Sequence, residues 1–562
     1  MNRRNLTAAV LAGLAGAAGI VGSAQAVNIN PDGLGQVLIY PYYTVNGGNQ
    51  TTLSVVNTTD RGKAVKVRFL EGENSQEVLD FNLYMSQWDV WTAVIYDNAG
   101  TPTMATADTT CTVPYIYSYG NRPFGQPGGQ QEFLTYELMD GGREDISRTR
   151  EGHFEMIEMG TLADISWNSE TAATHVNGVP PASWIPSVSG AMLLATGDPA
   201  FSAPRICGQL IDAWTDPDNT VAGDEGYWLN AAFGPLTDLE NPSGGLFGGA
   251  AIVNVAYGAM YSYDATAING FAMGLTDGMI PETPLHQQPG FILPGLNSGD
   301  TLSATVFNSN GTTSTASFDR GVDAVSYVFM HDQLMNEYTT EVDVGAETEW
   351  VITFPTKQFY VFDEQSGGMG AGVAPFTSWW DNTLLDESAE ACEPVSLNTI
   401  WDREERKPGF VPGQPVPPVV SPAPPPDEEE DRFPFELCYE TSVLRFGAED
   451  PLLAATEILG STNFHNIDNV ALTFEFGWAR LQLADYPETV DGVIVPGGDT
   501  YTRSLPVLSG TPLEGLPVAG FAVQRFANNF VGGAALIASY GGIYDHKYTR
   551  RIGSGVFPPM AP

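Results

Sequence analysis

Thr348-Glu349-Trp350-Val351-Ile352-Thr353-Phe354-Pro355-Thr356-Lys357-Gln358-Phe359-Tyr360-Val361-Phe362 is the densest aromatic and β-branched run in the chain. Such side chains fit a pleated, buried surface, so the run predicts a central strand or strand pair. Pro355 has no N–H to give to a ladder, which places an edge or bulge there. A second apolar block, Val322 to Met330, precedes the run, and a proline-rich excursion bracketed by Cys392 and Cys438 follows it. Sandwich cores are built from runs like this; active sites usually are not.

Composition points the same way. The 562 residues include 61 Gly and 40 Pro against only 24 Lys+Arg, a balance that favours turn-rich β structure over helix. The formal net charge is −43. A chain this acidic repels phosphate backbones and anionic lipid, which argues against nucleic acid and peripheral membrane as partners. The carboxylate excess reads as a solubilising surface or, more sharply, as a source of oxygen ligands for Ca2+.

Residues 1–26 have the order of a secretory signal: Arg3 and Arg4, the apolar stretch Leu6 to Val21, then Ala24-Gln25-Ala26 as the cleavage site, cut after Ala26. Arg3-Arg4-Asn5-Leu6 leaves the general and the twin-arginine export routes both open. No later segment is long and apolar enough to span a bilayer. The expected location is therefore periplasmic, cell-surface or extracellular.

Residues 27–110 read as an immunoglobulin-like β module. Val37 to Tyr43 and Leu53 to Val56 are apolar strands flanking the Asn46-Gly47-Gly48-Asn49 turn. In Val65-Lys66-Val67-Arg68-Phe69 the apolar residues face one way and the cations the other, and Phe81, Leu83 and Met85 repeat the alternation. Short strands at this spacing suggest a sandwich. Residues 111–300 are an irregular β-rich region, with Gln131 to Met139 and Gly208 to Trp214 as candidate short helices and Phe247 to Val255 as a strand. Residues 301–391 form a central β region, including Leu302 to Phe307 and the Asn308-Ser309-Asn310-Gly311 hairpin turn. Residues 392–438 are a Cys-bracketed, proline-rich acidic loop, and residues 439–562 return to β patterning, with Leu472, Phe474 and Phe476 on one face. One internal echo is visible: Gly248-Gly249-Ala250-Ala251-Ile252 leads to Tyr257-Gly258 and Tyr261, as Gly532-Gly533-Ala534-Ala535-Leu536 leads to Tyr540-Gly541 and Tyr544. The fold class expected is mainly β: an immunoglobulin-like N-terminal sandwich, then further β-sandwich regions with a few short helices.

Gly35 to Tyr43, the run Glu349 to Tyr360, and Leu459-Gly460-Ser461-Thr462-Asn463 together resemble a group of exported proteins of Gram-negative bacteria. The resemblance implies export. That group has no established activity, so it assigns no catalytic residue.

The motifs of common chemistries are absent. The chain has no G-x-S-x-G elbow, no H-E-x-x-H and no C-x-x-C. Gly367 to Gly372 is glycine-rich but no Lys-Ser or Lys-Thr follows it, so it reads as a loop. The six histidines, His153, His175, His286, His331, His465 and His546, show no ligand spacing; only His331-Asp332 offers an orienting carboxylate. A glycosidase needs two carboxylates at a set separation, and 67 Asp+Glu give no basis for choosing a pair. Trp88, Trp91, Trp379 and Trp380 are either sugar platforms or core residues. Asp216-Pro217-Asp218-Asn219 with Asp224-Glu225 is the one oxygen-rich loop that suggests a structural Ca2+.

Cys111, Cys207, Cys392 and Cys438 make an even count in a chain expected to be exported. Sequence neighbours close the smaller loops, which favours Cys111–Cys207 and Cys392–Cys438; the competing expectation is buried free thiols. No catalytic or cofactor-binding residue emerges. The function expected is a non-enzymatic β protein with a structural, adhesive or ligand-binding role, its partner a surface, matrix or carbohydrate ligand. The alternative is a secreted polysaccharide hydrolase using unidentified carboxylates.

Overall fold

The computed structural model describes residues 26–116, 129–177, 202–216, 225–230, 233–273, 285–362, 373–381, 389–405, 433–447, 452–468, 475–487, 489–490, 493–494, 500–528 and 538–553. The fold is mainly β, with 48% strand and 9% helix. The signal segment before Ala26, the glycine-rich loop 367–372, the proline-rich stretch 407–431, Leu472 with Phe474, and Gly532 to Leu536 lie outside the described residues.

The run that opened the reading supplies the middle strand of an inner five-stranded sheet. Ala346–Thr353 lies between Thr441–Gly447 and Ala519–Asn528, with Phe464–Asp468 and Ala538–Asp545 at the two edges. Its alternate residues feed different cores. Trp350 and Ile352 pack with Leu444, Phe446 and the helix Gly321–Phe329, whereas Val351 packs with Val443, Phe521 and the N-terminal half. A strand buried on both faces needs apolar residues at every position, which is why this stretch stands out in the sequence. The strand stops at Thr353, ahead of Pro355. The second half of the run is a short helix, Gln358–Val361, rather than a second strand. The preceding apolar block is likewise the helix Gly321–Phe329, every residue of which is buried.

The N-terminal half is a sandwich of antiparallel sheets. One sheet has eight strands, with Val37–Thr44, Glu151–Leu162, Lys63–Glu71 and Glu77–Met85 adjacent in that order. The other has six, in the order Ala259–Asp264, Leu246–Asn254, Asn49–Asn57, Val90–Asn98, Thr101–Ala105, Gln130–Glu132. The immunoglobulin-like reading of residues 27–110 is not confirmed. Glu151–Leu162 inserts between two strands of that span, and Leu246–Asn254 pairs with a third. Gln131 to Met139 is not a helix either; it begins in the edge strand Gln130–Glu132. The helix expected near Gly208 spans Cys207–Asp212. Ser303–Phe307 and Thr313–Ser317 form the expected hairpin.

The cations of Val65-Lys66-Val67-Arg68-Phe69 do face away from the apolar residues, but not into solvent. Lys66 is buried and pairs with Asp80, while Arg68 pairs with Glu77 at 2.7 Å and Glu155 at 2.5 Å. Neighbouring strands supply those carboxylates, so this face of the sheet is a buried ionic layer. Such pairs are held by geometry rather than by net Coulomb gain. Arg148, wholly buried, centres a second buried ionic cluster, with Glu71 on the opposite face of the same strand: it donates to Glu71 at 2.9 and 3.0 Å and to both oxygens of Asp140 at 2.7 Å.

Cys111 is bonded to Cys207 and Cys392 to Cys438. The second bridge closes the base of the proline-rich stretch. No helix among the described residues is long and apolar enough to cross a membrane.

Candidate functional site

The three stretches that carry the sequence resemblance meet at one place, the junction of the two halves. Thr353 Oγ1 donates to Pro41 O at 2.6 Å, tying the central run to the Val37–Thr44 strand. The segment Thr456 to Asn463 then lies between two buried carboxylates. Glu349 accepts from Thr456 Oγ1 (2.9 Å), Ile458 N–H (2.7 Å) and Leu459 N–H (3.0 Å). Glu151 accepts from Tyr42 Oη and from the N–H and hydroxyl of Thr462. Burial still pushes the Glu349 carboxyl up to about 7. Gly460 has φ +69, and a Cβ there would stand 2.6 Å from Gly47 N, so the motif glycine permits a close backbone approach. This junction is a structural joint: its polar groups are spent on each other and on the backbone.

The residues singled out for chemistry are dispersed. His286 bonds Tyr84 Oη and Pro235 O, and burial lowers its pKa to about 4. His546 donates from Nε2 to Val351 O while Nδ1 accepts from Asn336, which fixes a neutral ring. His175 is bonded to Ser86 and Thr109, and His465 stacks on Phe435. His153 is buried with neither ring nitrogen hydrogen-bonded, and burial lowers its pKa to about 3. His331 Nδ1 and Asp332 Oδ1 are both buried without a partner, so these two atoms form no relay. Trp91 and Trp380 are core residues, Trp379 is half-buried, and Trp88 alone of the four is 64% exposed. Of the loop read for Ca2+, Asp216 and Glu225 are described, while residues 217–224, with Asp218, Asn219 and Asp224, lie outside the described residues. Glu390, Cys392 and Cys438 cluster within ligand distance, but both sulfurs are tied up in the disulfide and offer no thiolate.

Two open surfaces stand out among the described residues. The first is the outward face of the six-stranded sheet, where Thr52, Ser54, Thr92, Gly249, Ala251, Ser262 and their neighbours line a trough of about 560 Å3. Register places Ser262, Ala251, Thr52, Val94 and Ala105 in one row, and Asp264, Gly249, Ser54 and Thr92 in the next. Phe247, Val56 and Val90 bound the rows on one side, and Met260, Val253, Gln50 and Tyr96 on the other. The interior strands Leu246–Asn254, Asn49–Asn57, Val90–Asn98 and Thr101–Ala105 place no charged side chain among these rows. At the sheet edge, Ala259–Asp264 abuts Ala538–Asp545, so Tyr261 and Gly541 of the sequence echo are in contact.

The second surface is a cleft of about 570 Å3 between the halves, lined by Tyr263, Asp264, Phe329, His331, Phe521, Asp545, Lys547, Tyr548 and Arg550, among others. Sequence reading found neither surface as a site. The trough had a signal, small or hydroxyl side chains at every second position of Thr52 to Val56 and Val90 to Val94. The cleft had none beyond His331, because its walls come from widely separated segments.

The molecule is thus a mainly β, sandwich-like protein with two disulfides and no assembled catalytic group among its described histidines. No protein family, curated protein or solved structure matches the chain.

Proposed function

We propose that this chain is an exported, non-enzymatic β protein that binds a neutral surface, matrix or carbohydrate partner at or beyond the cell surface. The observation that carries the reading is the trough: in a chain of net charge −43, four adjacent strands present hydroxyl, apolar and glycine positions without a charge, and Asp264, on the edge strand, is the single carboxylate of the lining. At about 4.8 Å per strand, the six-stranded face is roughly 24 Å wide, broad and shallow like an adhesive surface. The acidic remainder disfavours polyanionic partners at long range, and the uncharged floor suits a neutral, hydroxyl-rich polymer at contact. The signal-like residues 1–26, the paired cysteines and the resemblance to exported proteins of Gram-negative bacteria support export.

The test is co-sedimentation of purified protein with a panel of neutral insoluble polysaccharides, comparing wild type with Thr92→Lys. Thr92 is exposed, so its replacement is expected to change stability by no more than about 0.5 kcal/mol. Binding to at least one polymer, lost in Thr92→Lys, is the expected result; binding to none, or binding indifferent to Thr92→Lys, would refute the reading. A polysaccharide hydrolase is the second reading, because Asp264 and Asp545 both line the inter-half cleft.

A further inference from the structure

The inter-half cleft has unmet polar demand concentrated on one wall. Of the residues that line it, His331 Nδ1 and Arg550 Nε are buried with no hydrogen-bond partner among the described residues, and so are Asp332 Oδ1 and Thr549 Oγ1 beside them, outside the lining. They come from two neighbouring segments, joined where Asp332 N–H donates to Thr549 O at 3.2 Å. His331 is only 5% exposed, lines the cleft, and stacks on Tyr548 at 4.0 Å between centroids. Buried polar atoms are nearly always partnered, so a cluster of exceptions facing a cavity marks a place where something else supplies the partner.

The charge on that wall narrows what the partner is. Arg550 donates to two neutral carbonyls, Phe307 O and Val328 O, both at 3.0 Å, and makes no ion pair among the described residues. Its chain neighbour Arg551 pairs with both Asp485 and Glu514. Arg61, Arg68, Arg148, Arg445, Arg503 and Arg525 also hold carboxylates. A half-buried guanidinium without a counter-charge is costly, and burial lowers the pKa of Arg550 accordingly. Lys547 lines the same cleft, exposed and with no ion pair among the described residues. The opposing walls include Phe329, Phe521 and Val518, which suit an apolar body. Asp264 and Asp545 at the lining disfavour a polyanion but tolerate a single negative charge.

We propose that this cleft binds a small organic monocarboxylate, its acid group against Arg550 and His331 and its apolar body against Phe329 and Phe521. The cleft adjoins the sheet-face trough and shares Tyr263 and Asp264 with it, but Arg550, His331, Phe329 and Phe521 line the cleft alone, so the two proposals are tested separately. Benzoate, with benzamide as neutral isostere and inorganic phosphate as bare anion, tests the assignment by calorimetric titration of the full chain. Benzoate is expected to bind saturably, at least tenfold more tightly than benzamide or phosphate. Arg550→Gln should abolish the preference for benzoate over benzamide, and Lys547→Gln, an exposed change that leaves the fold alone, should weaken benzoate several-fold. Absence of saturable benzoate binding, equal affinity for benzamide, or tighter binding of phosphate would overturn the proposal. Should Arg550→Gln fail to fold, the wild-type preference and the Lys547→Gln loss decide the matter.

Discussion

Arg148→Met is the sharpest perturbation of the buried ionic cluster around Glu71 and Asp140. The guanidinium bonds Glu71 and Asp140 through four charge-assisted contacts of 2.7 to 3.0 Å and lies 3.3 Å from Glu73, with the Trp380 ring 5.7 Å away. Methionine fills part of the volume and packs on Trp380, but among the described residues it leaves three buried carboxylates with Arg143, which pairs with Glu73, as their one cation; Glu71 and Asp140 keep only neutral donors such as the Asn74 N–H and amide. Breaking one side of a buried ion network costs about 3–5 kcal/mol, a large share of a typical 5–15 kcal/mol total. The loss carries a pH signature. Burial and Glu71 already hold the Glu73 carboxyl up to about 7. Removing a cation pushes that folded value further above the unfolded one, so the added penalty is fully present at alkaline pH and fades as pH falls towards the unfolded value near 4.3. Urea unfolding with the disulfides intact, at pH 8 and pH 5, measures both. A loss below about 1 kcal/mol at pH 8, or an equal loss at both pH values, would refute the reasoning.

Gly460→Ala should destabilise by at least about 1–2 kcal/mol from its left-handed backbone alone, with the contact to Gly47 adding more; thermal melting, with hydrogen exchange over residues 456–463, reads it. The double variant Cys392→Ser/Cys438→Ser opens a loop whose ends are 46 residues apart, a loss of about 4 kcal/mol in the chain-entropy picture, read by denaturation against wild type under non-reducing conditions. Stability should fall as pH rises from about 4.3 to about 7, because Glu349, with its pKa raised to about 7, binds a proton in the folded state that the unfolded chain has released. Glu349→Gln should flatten that slope in melting curves taken across the window, and an unchanged slope would count against it.

What the sequence made legible follows from how local the cause was. Trp350 and Val351 are both apolar because both faces of their strand are buried, so the centre of the inner sheet could be read directly. The cysteine pairs were readable because each joins sequence neighbours. Lys66 and Arg68 show the alternation but not what covers them, since the carboxylates that do, Asp80, Glu77 and Glu155, are brought in by strand register. The helix Gly321–Phe329 is buried along its whole length and only nine residues long, and its polar face is just Asp323 and Ser326, one turn apart and bonded to Tyr360, which is too little period to separate it from a buried strand. The span 27–110 was read as closed because its strand spacing is regular; nothing within it announces that Glu151–Leu162 will insert between its strands.

The central claim is that this protein holds its polymer without cutting it. The direct measurement is the fate of the bound polysaccharide: wild-type protein is incubated on whichever polymer it retains, and bound protein and new reducing ends are quantified together. The account predicts saturable retention with no reducing ends above the buffer control. Release of reducing ends that disappears in Asp264→Asn or Asp545→Asn would contradict it and identify the cleft as the active site of a hydrolase.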